Sequence, residues 1–277
     1  MDFKFGTYNL LEGGYDDGDR TRFYRQMRRL AAHDANAWAL QECSEWDTNG
    51  CLEAAEDALG MKGFIAQSNK NPRGNVGVFV RVNDYKVKVI RTRHEGMFHK
   101  ERVQYWHAVA VAYVDVMGFG MLQLASAHLA PVSPEKRAEE AECIGLIAEK
   151  PVPLIIGMDA NGYALNEPKR DTTGIHKGKK RRKEDLRAAR YLAEYMTDCG
   201  AHLGIQTPTV WHTRGDKLAY ICDRNYTTLS PETIVSHEVI EEEGGAEAEV
   251  NDSDHLIALT TFRLDTGDQY GRELPKA

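Results

Sequence analysis

The sequence has no apolar run long enough to cross a membrane. A membrane-spanning helix needs about 20 mainly apolar residues, and no run in this chain approaches that length. The first residues, Met1-Asp2-Phe3-Lys4-Phe5, already alternate between apolar and polar side chains, so we expect no secretion signal. We therefore expect a protein that does not associate with membranes.

Cysteines are few, odd in number and lack the Cys-x-x-Cys spacing. Such a set argues against a disulfide framework and against a structural zinc site. Proteins without disulfides are typical of reducing compartments, so we expect this protein in the cytoplasm. The five cysteines are Cys43, Cys51, Cys143, Cys199 and Cys222.

Charge is unevenly distributed along the chain. The net charge is −7, with 42% apolar and 28% charged residues, as in ordinary globular proteins. Residues 166–190 carry ten Lys and Arg against four Asp and Glu, whereas Glu238 to Asp252 hold seven acids and no Lys or Arg. A chain this acidic does not attract nucleic acid as a whole, so binding of nucleic acid must be local to the basic segment.

Hydrophobic periodicity predicts alternating strands and helices near the N-terminus. Phe3 to Leu10 alternates as a strand, and 19–33 has the spacing of a helix with an arginine face that we expect to be solvated. A short apolar run over 35–40 gives a second strand. Strand, helix and strand in succession indicate an α/β fold. The arginines of that face are Arg22, Arg25 and Arg29.

The middle of the chain is rich in predicted strands, and helices return after it. We see no internal repeat and no linker, so we expect one domain over 1–265 and a polar tail over 266–277. The predicted helices are 51–59 stopped by Gly60, 133–150 capped by Ser133 and Pro134, and 184–199 stopped by Gly200; the predicted strands are 106–116, 121–128, 218–228 and 255–262.

The stretch Val152 to Gly162 is a short apolar run that ends in an acid and an amide. It has the character of a strand buried on both faces. Because side chains alternate along a strand, Asp159 and Asn161 would leave the sheet on the same side. Asp-Ala-Asn-Gly is also a favourable turn sequence, so these residues taken alone do not establish a site.

Other apolar runs also end in, or begin from, a polar residue. Any one of these residues has a simple alternative role as a cap or a turn. Six such strand ends together favour one polar site at the edge of the sheets. Besides the Asp159 strand, they are Asn9, Glu42, His128, Asp223 and the triplet Ser253-Asp254-His255.

Five of the motifs that contain these residues occur along the chain in the same order as in one family of enzymes. Tyr8-Asn9-Leu10-Leu11, Leu40-Gln41-Glu42, Ser126-Ala127-His128-Leu129, Gly157-Met158-Asp159-Ala160-Asn161 and Ser253-Asp254-His255 resemble the motifs of the endonuclease/exonuclease/phosphatase superfamily. The resemblance extends from Asn9 to His255. It implies a four-layer α/β/β/α sandwich, in which two mixed β-sheets are flanked by helices, and a metal-dependent hydrolase of phosphate esters.

The resemblance also implies a role for each motif residue. Glu42 would be the principal ligand of Mg²⁺, or of Mn²⁺, because such ions prefer carboxylates and water. Asn9 and Asp254 would help to hold the ion.

The remaining motif residues would carry the chemistry. Asp159 would orient or deprotonate the attacking water, and Asn161 would fix Asp159. His255 would contact the scissile phosphate with Asp223 as its carboxylate partner, and His128 would donate to a phosphoryl oxygen.

The motif that contains Asp223 has two possible registers. Ile221-Cys222-Asp223-Arg224-Asn225-Tyr226 matches one form of the family motif. Lys217-Leu218-Ala219-Tyr220 imitates another form, with alanine in place of the acid. The first register gives His255 a carboxylate partner, whereas the second leaves it without one.

The basic segment admits two interpretations, a solvated loop or a clamp on phosphates. Lys179, Lys180, Arg181 and Arg182 would form that clamp, and Arg137 is a further possible phosphate contact. We expect a nuclease that cleaves DNA or RNA. The alternatives are a phosphatase or phosphodiesterase acting on inositol phosphates or another small or lipid phosphate, and a non-catalytic binding module. Nothing in the sequence indicates the oligomeric state.

Overall fold

The computed structural model describes residues 1–68, 74–82, 86–98, 103–210, 218–241 and 252–265, with the backbone alone for 93–98 and 103–104. The predicted tail over 266–277, most of the acidic segment and Lys217 lie outside the described residues.

Twelve described strands form two six-stranded sheets. The first sheet has the order β11-β12-β1-β2-β4-β3 and the second has the order β5-β6-β7-β8-β10-β9. The strands are β1 Asp2–Asn9, β2 Ala37–Gln41, β3 Lys62–Ala66, β4 Val76–Val80, β5 Val87–Phe98, β6 Val103–Val116, β7 Gly120–His128, β8 Leu154–Asp159, β9 Thr197–Asp198, β10 Asp223–Thr227, β11 Ile234–Ile240 and β12 Ile257–Arg263.

Each sheet contains one parallel pair among antiparallel neighbours. β1 and β2 run parallel in the first sheet, and β7 and β8 do so in the second. Parallel strands end at the same edge of a sheet, so Asn9 pairs with Gln41 and His128 pairs with Asp159. The antiparallel β10 begins at this edge, where Asp223 pairs with Asp159. The polar strand ends predicted from the sequence therefore meet.

Helices cover the outer face of each sheet. Leu30 of α1 and Leu59 of α2 share a buried cluster with Trp38 of the first sheet, and Ile144 of α3 and Leu192 of α5 share one with Ile156 of the second. The result is the predicted four-layer sandwich. The helices are α1 Thr21–Ala32, α2 Cys51–Leu59, α3 Pro134–Ala148, α4 Lys177–Lys183, α5 Arg187–Tyr195 and α6 Cys199–His202. None of the described helices is long and apolar enough to cross a membrane.

The sheets face each other across an apolar core that turns polar in places. Phe5, Val114 and Ile155 belong to this core. Between the sheets, Gln41 Nε2 donates to Ser126 Oγ at 3.1 Å.

Asn225 makes a second such contact, because its Nδ2 donates to Thr260 Oγ1 at 2.9 Å. Directed bonds of this kind set the position of one sheet on the other, which an apolar contact alone leaves less defined.

The sheets also approach closely at Gly157 of β8. A Cβ atom there would lie 2.7 Å from Thr7 Cβ and 2.8 Å from Ala39 Cβ, closer than side-chain atoms pack. Glycine is therefore required by the spacing between the sheets.

Several predicted elements are correct in their details. α2 spans Cys51–Leu59 as predicted and ends at Gly60 in the left-handed conformation, with φ 62°. α3 begins with Pro134, and Ser133 Oγ accepts a hydrogen bond from Lys136 N at 3.2 Å. Such caps satisfy main-chain groups that a helix end leaves without partners.

Other elements differ from the prediction. The helix predicted over 184–199 ends at Tyr195, and β9 and α6 follow it; Gly200 lies inside α6 and stops nothing. The strand predicted over 218–228 begins only at Asp223. β11 was not predicted at all, and the basic run that we expected as a loop is the short helix α4.

Candidate active site

The Asp159 carboxylate lies at the centre of the polar edge, buried with 2% of its surface exposed. Its Oδ2 accepts hydrogen bonds from Asn9 Nδ2 at 3.0 Å and is 3.2 Å from His128 Nε2. Its Oδ1 accepts from the Asn161 main-chain N at 2.9 Å and from the Cys222 thiol at 2.8 Å. Four donors hold this carboxylate in one orientation.

Two imidazoles keep Asp159 ionised. Burial alone would raise the pKa of Asp159, but the charges of His128 and His255 outweigh burial and hold the pKa well below its usual range. The carboxylate therefore remains an acceptor at neutral pH.

His255 is paired with Asp223 at the start of β10. His255 Nδ1 lies 2.8 Å from Asp223 Oδ2, while His255 Nε2 lies 3.8 Å from Asp159 Oδ2. Burial lowers the pKa of His255, but the Asp223 and Asp159 carboxylates outweigh it and raise the pKa to about 10. Of the two registers, the structure selects the one in which Asp223 is the partner of His255.

His128 is stacked on a second histidine. The rings of His107 and His128 lie 3.9 Å apart at 18°. Burial lowers the pKa of His128, but Asp159 reverses the shift and raises it. Burial lowers the pKa of His107 to about 2, and the charge on His128 adds to that effect. The stacking of His107 on His128 was not predicted, because His107 stands alone within a strand sequence.

Glu42 lies at the open side of the cluster. It follows β2 in the left-handed conformation, with φ 57°, which is uncommon for a residue other than glycine. Its Oε1 accepts from Asn9 Nδ2 at 3.2 Å and its Oε2 accepts from Glu12 N at 2.8 Å.

The donor set around Glu42 fits a hard divalent cation. Each oxygen of its carboxylate accepts one of the bonds just described and has a further lone pair, and Mg²⁺ typically takes one or two carboxylates and several waters. Asp254 is half-buried, and its Oδ1 lies 4.0 Å from His255 Nε2. Asn9 differs from the prediction, because its Oδ1 accepts from Leu11 N at 3.0 Å and its Nδ2 faces both carboxylates. The Asn9 amide here positions Glu42 and Asp159 and presents no oxygen to an ion.

A second group of potential ligands lies deeper in the cluster. Among the described residues, Asp159, Cys222 and His255 bring one ligand atom each within 4.8 Å of the others. Burial raises the pKa of the Cys222 thiol well above its usual range, and Asp159 adds to this effect. In the structure the Cys222 thiol donates to Asp159 Oδ1, while His255 Nε2 lies 3.8 Å from Asp159 Oδ2.

The arginines of α1 hold the segment that leads to His255. Arg22 Nη1 donates to the carbonyls of Leu10 at 2.8 Å and Asp252 at 3.2 Å, and Arg25 Nε pairs with Asp252 Oδ1 at 2.7 Å. Arg29 donates to the Ile240 carbonyl at 3.1 Å. Our expectation of a solvated arginine face is therefore wrong, because Arg22 and Arg29 donate to main-chain carbonyls and Arg25 pairs with the Asp252 carboxylate.

Arg137 is buried and bonded to main-chain carbonyls. The residue is 1% exposed, and its guanidinium donates to the carbonyls of Ala130 at 2.9 Å, Pro131 at 3.5 Å and Arg182. These bonds tie α3 to α4, and they do not support the predicted phosphate contact.

The four predicted clamp residues lie on α4. Lys179, Lys180 and Arg182 are half-buried and Arg181 is exposed. Lys180 Nζ lies 3.7 Å from Glu184 Oε1. The same helix contributes Lys183, which was not predicted: its Nζ donates to Asn161 Oδ1 at 3.0 Å.

No family model and no curated protein sequence matches this chain. Solved structures do match it. D. rerio TDP2, humanised by 14 mutations, is 18% identical with a TM-score of 0.68, over 95% of this chain and 99% of that one. The chain has the fold of the endonuclease/exonuclease/phosphatase superfamily.

Further structures with this superfamily fold have similar scores. The endonuclease/exonuclease/phosphatase from Bacteroides vulgatus is 16% identical with a TM-score of 0.68, over 96% of this chain and all of that one. ANGEL2, described as a 2',3'-cyclic phosphatase, is 14% identical with a TM-score of 0.63, over 96% of each chain. D. rerio TDP2 has also been solved with a single-strand DNA product, at 15% identity and a TM-score of 0.67 over 95% and 99% of the two chains.

Proposed function

We propose that this chain is a metal-dependent hydrolase of phosphate esters that cleaves phosphodiester bonds in DNA or RNA. The observation that carries the proposal is the ionised Asp159 carboxylate, held by Asn9 and the Asn161 main chain beside two imidazoles with raised pKa. Phosphoryl transfer needs an oriented nucleophile and positive charge near the phosphoryl oxygens, and this cluster offers both. We keep the single domain over 1–265 and the cytoplasmic location as part of the proposal.

Asp159 orients the attacking water. A carboxylate with a depressed pKa is a weak base. Once the His128 Nε2–H, which lies 3.2 Å from Asp159 Oδ2, donates to a phosphoryl oxygen instead, Oδ2 can accept a hydrogen bond from the water and direct one lone pair of the water at the phosphorus. The donors from Asn9, Asn161 and Cys222 prevent the carboxylate from rotating away. Orientation of this kind is a large part of what a fixed site contributes to the rate.

The two histidines supply positive charge. His255 is held through Nδ1 by Asp223, which leaves its Nε2–H to donate to a phosphoryl oxygen. His128 approaches the same oxygen of Asp159, with its Nε2 3.2 Å from Oδ2, and would donate from Nε2 to a phosphoryl oxygen. Charge placed beforehand in a buried site stabilises the extra negative charge of the transition state.

Glu42 would hold Mg²⁺ or Mn²⁺, and Asp254 would help to hold the ion. When bound, such an ion neutralises phosphoryl oxygens and stabilises the leaving oxygen. Asn9 keeps the Glu42 carboxylate next to Asp159, so the ion and the water would act on the same phosphate.

The basic helix α4 and one similar structure favour nucleic acid as the substrate. α4 starts from the loop after Asp159, and its last turn contains four basic residues. Lys and Arg on such a surface contact backbone phosphates without reading the base sequence. D. rerio TDP2 was solved with a single-strand DNA product, which supports the same substrate class here.

ANGEL2 favours a second candidate, a phosphatase acting on a small ester. That protein is described as a 2',3'-cyclic phosphatase. A small ester would release its product with little dependence on salt, because few phosphates are bound.

The test is a substrate panel with purified protein. We expect cleavage of plasmid, single-stranded DNA or RNA with Mg²⁺ or Mn²⁺, and its loss when a chelator removes the ion. Asp159→Asn should lower kcat by about 100-fold or more, because it removes the charge that orients the water. Cleavage that survives both the chelator and Asp159→Asn would belong to a contaminant and contradict the proposal.

Salt dependence distinguishes the two substrate classes. Replacing Lys179, Lys180, Arg181 and Arg182 by uncharged residues should weaken DNA binding. The slope of log K against log salt concentration should become smaller by about one for each phosphate contact that the variant loses. Turnover of inositol phosphates or a 2',3'-cyclic nucleotide, with DNA and RNA left intact, would establish the small-ester alternative.

A further inference from the structure

Lys183 is the buried residue of α4. Only 8% of its surface is exposed, whereas Lys177 and Arg181 of the same helix are exposed. Its ammonium group lies 5.3 Å from the centre of the Tyr220 ring. Placing an ammonium group away from water is costly unless its donors are used, so the position of Lys183 requires partners.

Those partners belong to the loop after Asp159. Lys183 Nζ donates to Asn161 Oδ1 at 3.0 Å and to the Asn161 main-chain O at 3.1 Å. The Lys183 carbonyl accepts from Tyr163 N at 2.9 Å. Side chain and main chain of Lys183 therefore fasten the end of α4 to the loop over 161–163.

The ammonium group also decides how the Asn161 amide is oriented. Ammonium only donates, so it must face Asn161 Oδ1, and Nδ2 is thereby directed to the Leu129 carbonyl at 3.0 Å. Asn161 holds a left-handed φ of 50°, and in this conformation its main-chain N donates to Asp159 Oδ1 at 2.9 Å. A shift of Asn161 would remove that donor from Asp159.

We propose that Lys183 is a positioning residue. It holds the loop that contains Asn161, and the Asn161 main chain in turn holds the Asp159 carboxylate. Lys183 thereby connects this carboxylate to the basic helix α4. This inference rests on the proposed hydrolase function. It also gives the basic segment two roles. Lys179 to Arg182 face the substrate, whereas Lys183 turns inward and fixes Asn161 and, through it, Asp159, which orients the water.

The kinetic test compares Lys183→Met with Lys88→Met. Methionine keeps the length and apolar volume of the lysine stem but removes the donors, and Lys88 is an exposed lysine on the edge strand β5. We expect Lys183→Met to lower kcat by about tenfold or more with KM within about threefold, since misplacement of a catalytic group lowers the rate and not the binding. Lys88→Met should keep both constants. Unchanged kcat, or an effect on KM alone, would overturn the inference.

A cavity variant separates positioning from loss of stability. Lys183→Ala should recover part of its kcat when propylammonium is added, because the free amine can occupy the vacated site. Tetramethylammonium at the same ionic strength has no N–H donor and should not restore kcat. Equal recovery with both ions, or recovery with neither, would contradict a role for the ammonium donors.

A readout independent of turnover distinguishes failure of this inference from failure of the proposed function. The side-chain NH₂ signals of Asn161, assigned with Asn161→Asp, should exchange slowly in the wild type and faster in Lys183→Met. Wild-type protein without metal-dependent turnover would defeat the proposed function, whereas faster exchange in the variant would still show that Lys183 holds the loop. Unaltered Asn161 signals would defeat the Lys183 inference in either case.

Discussion

The Cys222 thiol, directly before strand β10, lies 2.8 Å from Asp159 Oδ1 and serves as a donor to it. We expect Cys222→Ala to lower kcat by about threefold to tenfold, because loss of one hydrogen bond costs about 1 kcal/mol. Cys222→Ser keeps a donor of similar size and should retain most of the activity. The measurement is kcat for the two variants side by side; an equal loss in both would show that the thiol acts through packing.

The pair His255–Asp223 makes stability depend on pH. The pKa of His255 is raised from an ordinary 6.5 to about 10, so its protonated form stabilises the folded protein. This contribution is complete below pH 6.5 and is lost as pH rises through 10. We expect the free energy of unfolding, measured with urea at a series of pH values, to fall between pH 6.5 and 10.

The matched variant for that series is His255→Gln, which cannot take up the proton. Its free energy of unfolding should be lower at pH 6 and flatter over the same range. A wild-type slope that His255→Gln reproduces would assign the pH dependence to other groups.

At the scale of residues, the sequence predicted those that occur in ordered motifs. Asn9, Glu42, Asp159 and His255 were predicted as site residues because each ends or begins an apolar run, and the structure brings their side chains together. Cys222, Lys183 and His107 were missed, because their part in the site follows from which strand or helix lies opposite. Asn9 was placed correctly, but its amide faces the carboxylates as a donor, which spacing along the chain does not determine.

Among the elements, helix α1 links the first strand to the segment that carries His255. Arg22→Met should reduce the free energy of unfolding by about 1–3 kcal/mol, because it leaves the buried carbonyls of Leu10 and Asp252 with one donor fewer. Thermal or urea unfolding measures this loss. Arg28→Met is the control, since Arg28 is exposed on the same helix and should change stability by less than about 0.5 kcal/mol. Equal effects of the two substitutions would contradict the role of Arg22.

Strands and capped helices were predictable, whereas short elements were not. α2 and α3 have glycine or serine caps that local sequence reveals. The predicted helix over 184–199 was instead divided, because Thr197 and Asp198 pair with β10 and Asp198 Oδ1 caps α6 through Ala201 N at 3.0 Å. Tertiary pairing overrides local helix propensity over so few residues. The edge strand β11 was missed for a similar reason, since its register depends on β12.

For the molecule as a whole, the distance between the sheets is set where Gly157 faces Thr7 and Ala39. Gly157→Ala should lower the free energy of unfolding by about 1–3 kcal/mol, since one added methyl must push the sheets apart. It should also lower kcat, because Asp159 lies two residues further along the same strand. Unfolding curves and kinetics measured on one preparation test both effects, and normal stability with normal kcat would contradict them.

The two-sheet architecture was predicted through the family motifs more than through periodicity. Alternation of apolar residues indicated strands, and the order of the motifs indicated which sandwich they build. Neither predicted the hydrogen bonds between Gln41 and Ser126 or between Asn225 and Thr260. In the sequence such inward-facing polar residues only interrupt an apolar pattern, and their partners on the other sheet are known only from the structure.

The strand order of the first sheet has a consequence for biosynthesis. β12 lies between β1 and β11, yet it is made after both of them. While a ribosome is still translating the chain, β1 lacks its neighbour β12, and His255 has not yet been added to the polypeptide. The cluster of Asp159, Asp223 and His255 therefore forms only once nearly all of the described chain has emerged, so under the proposed function a nascent copy would not yet hydrolyse phosphate esters.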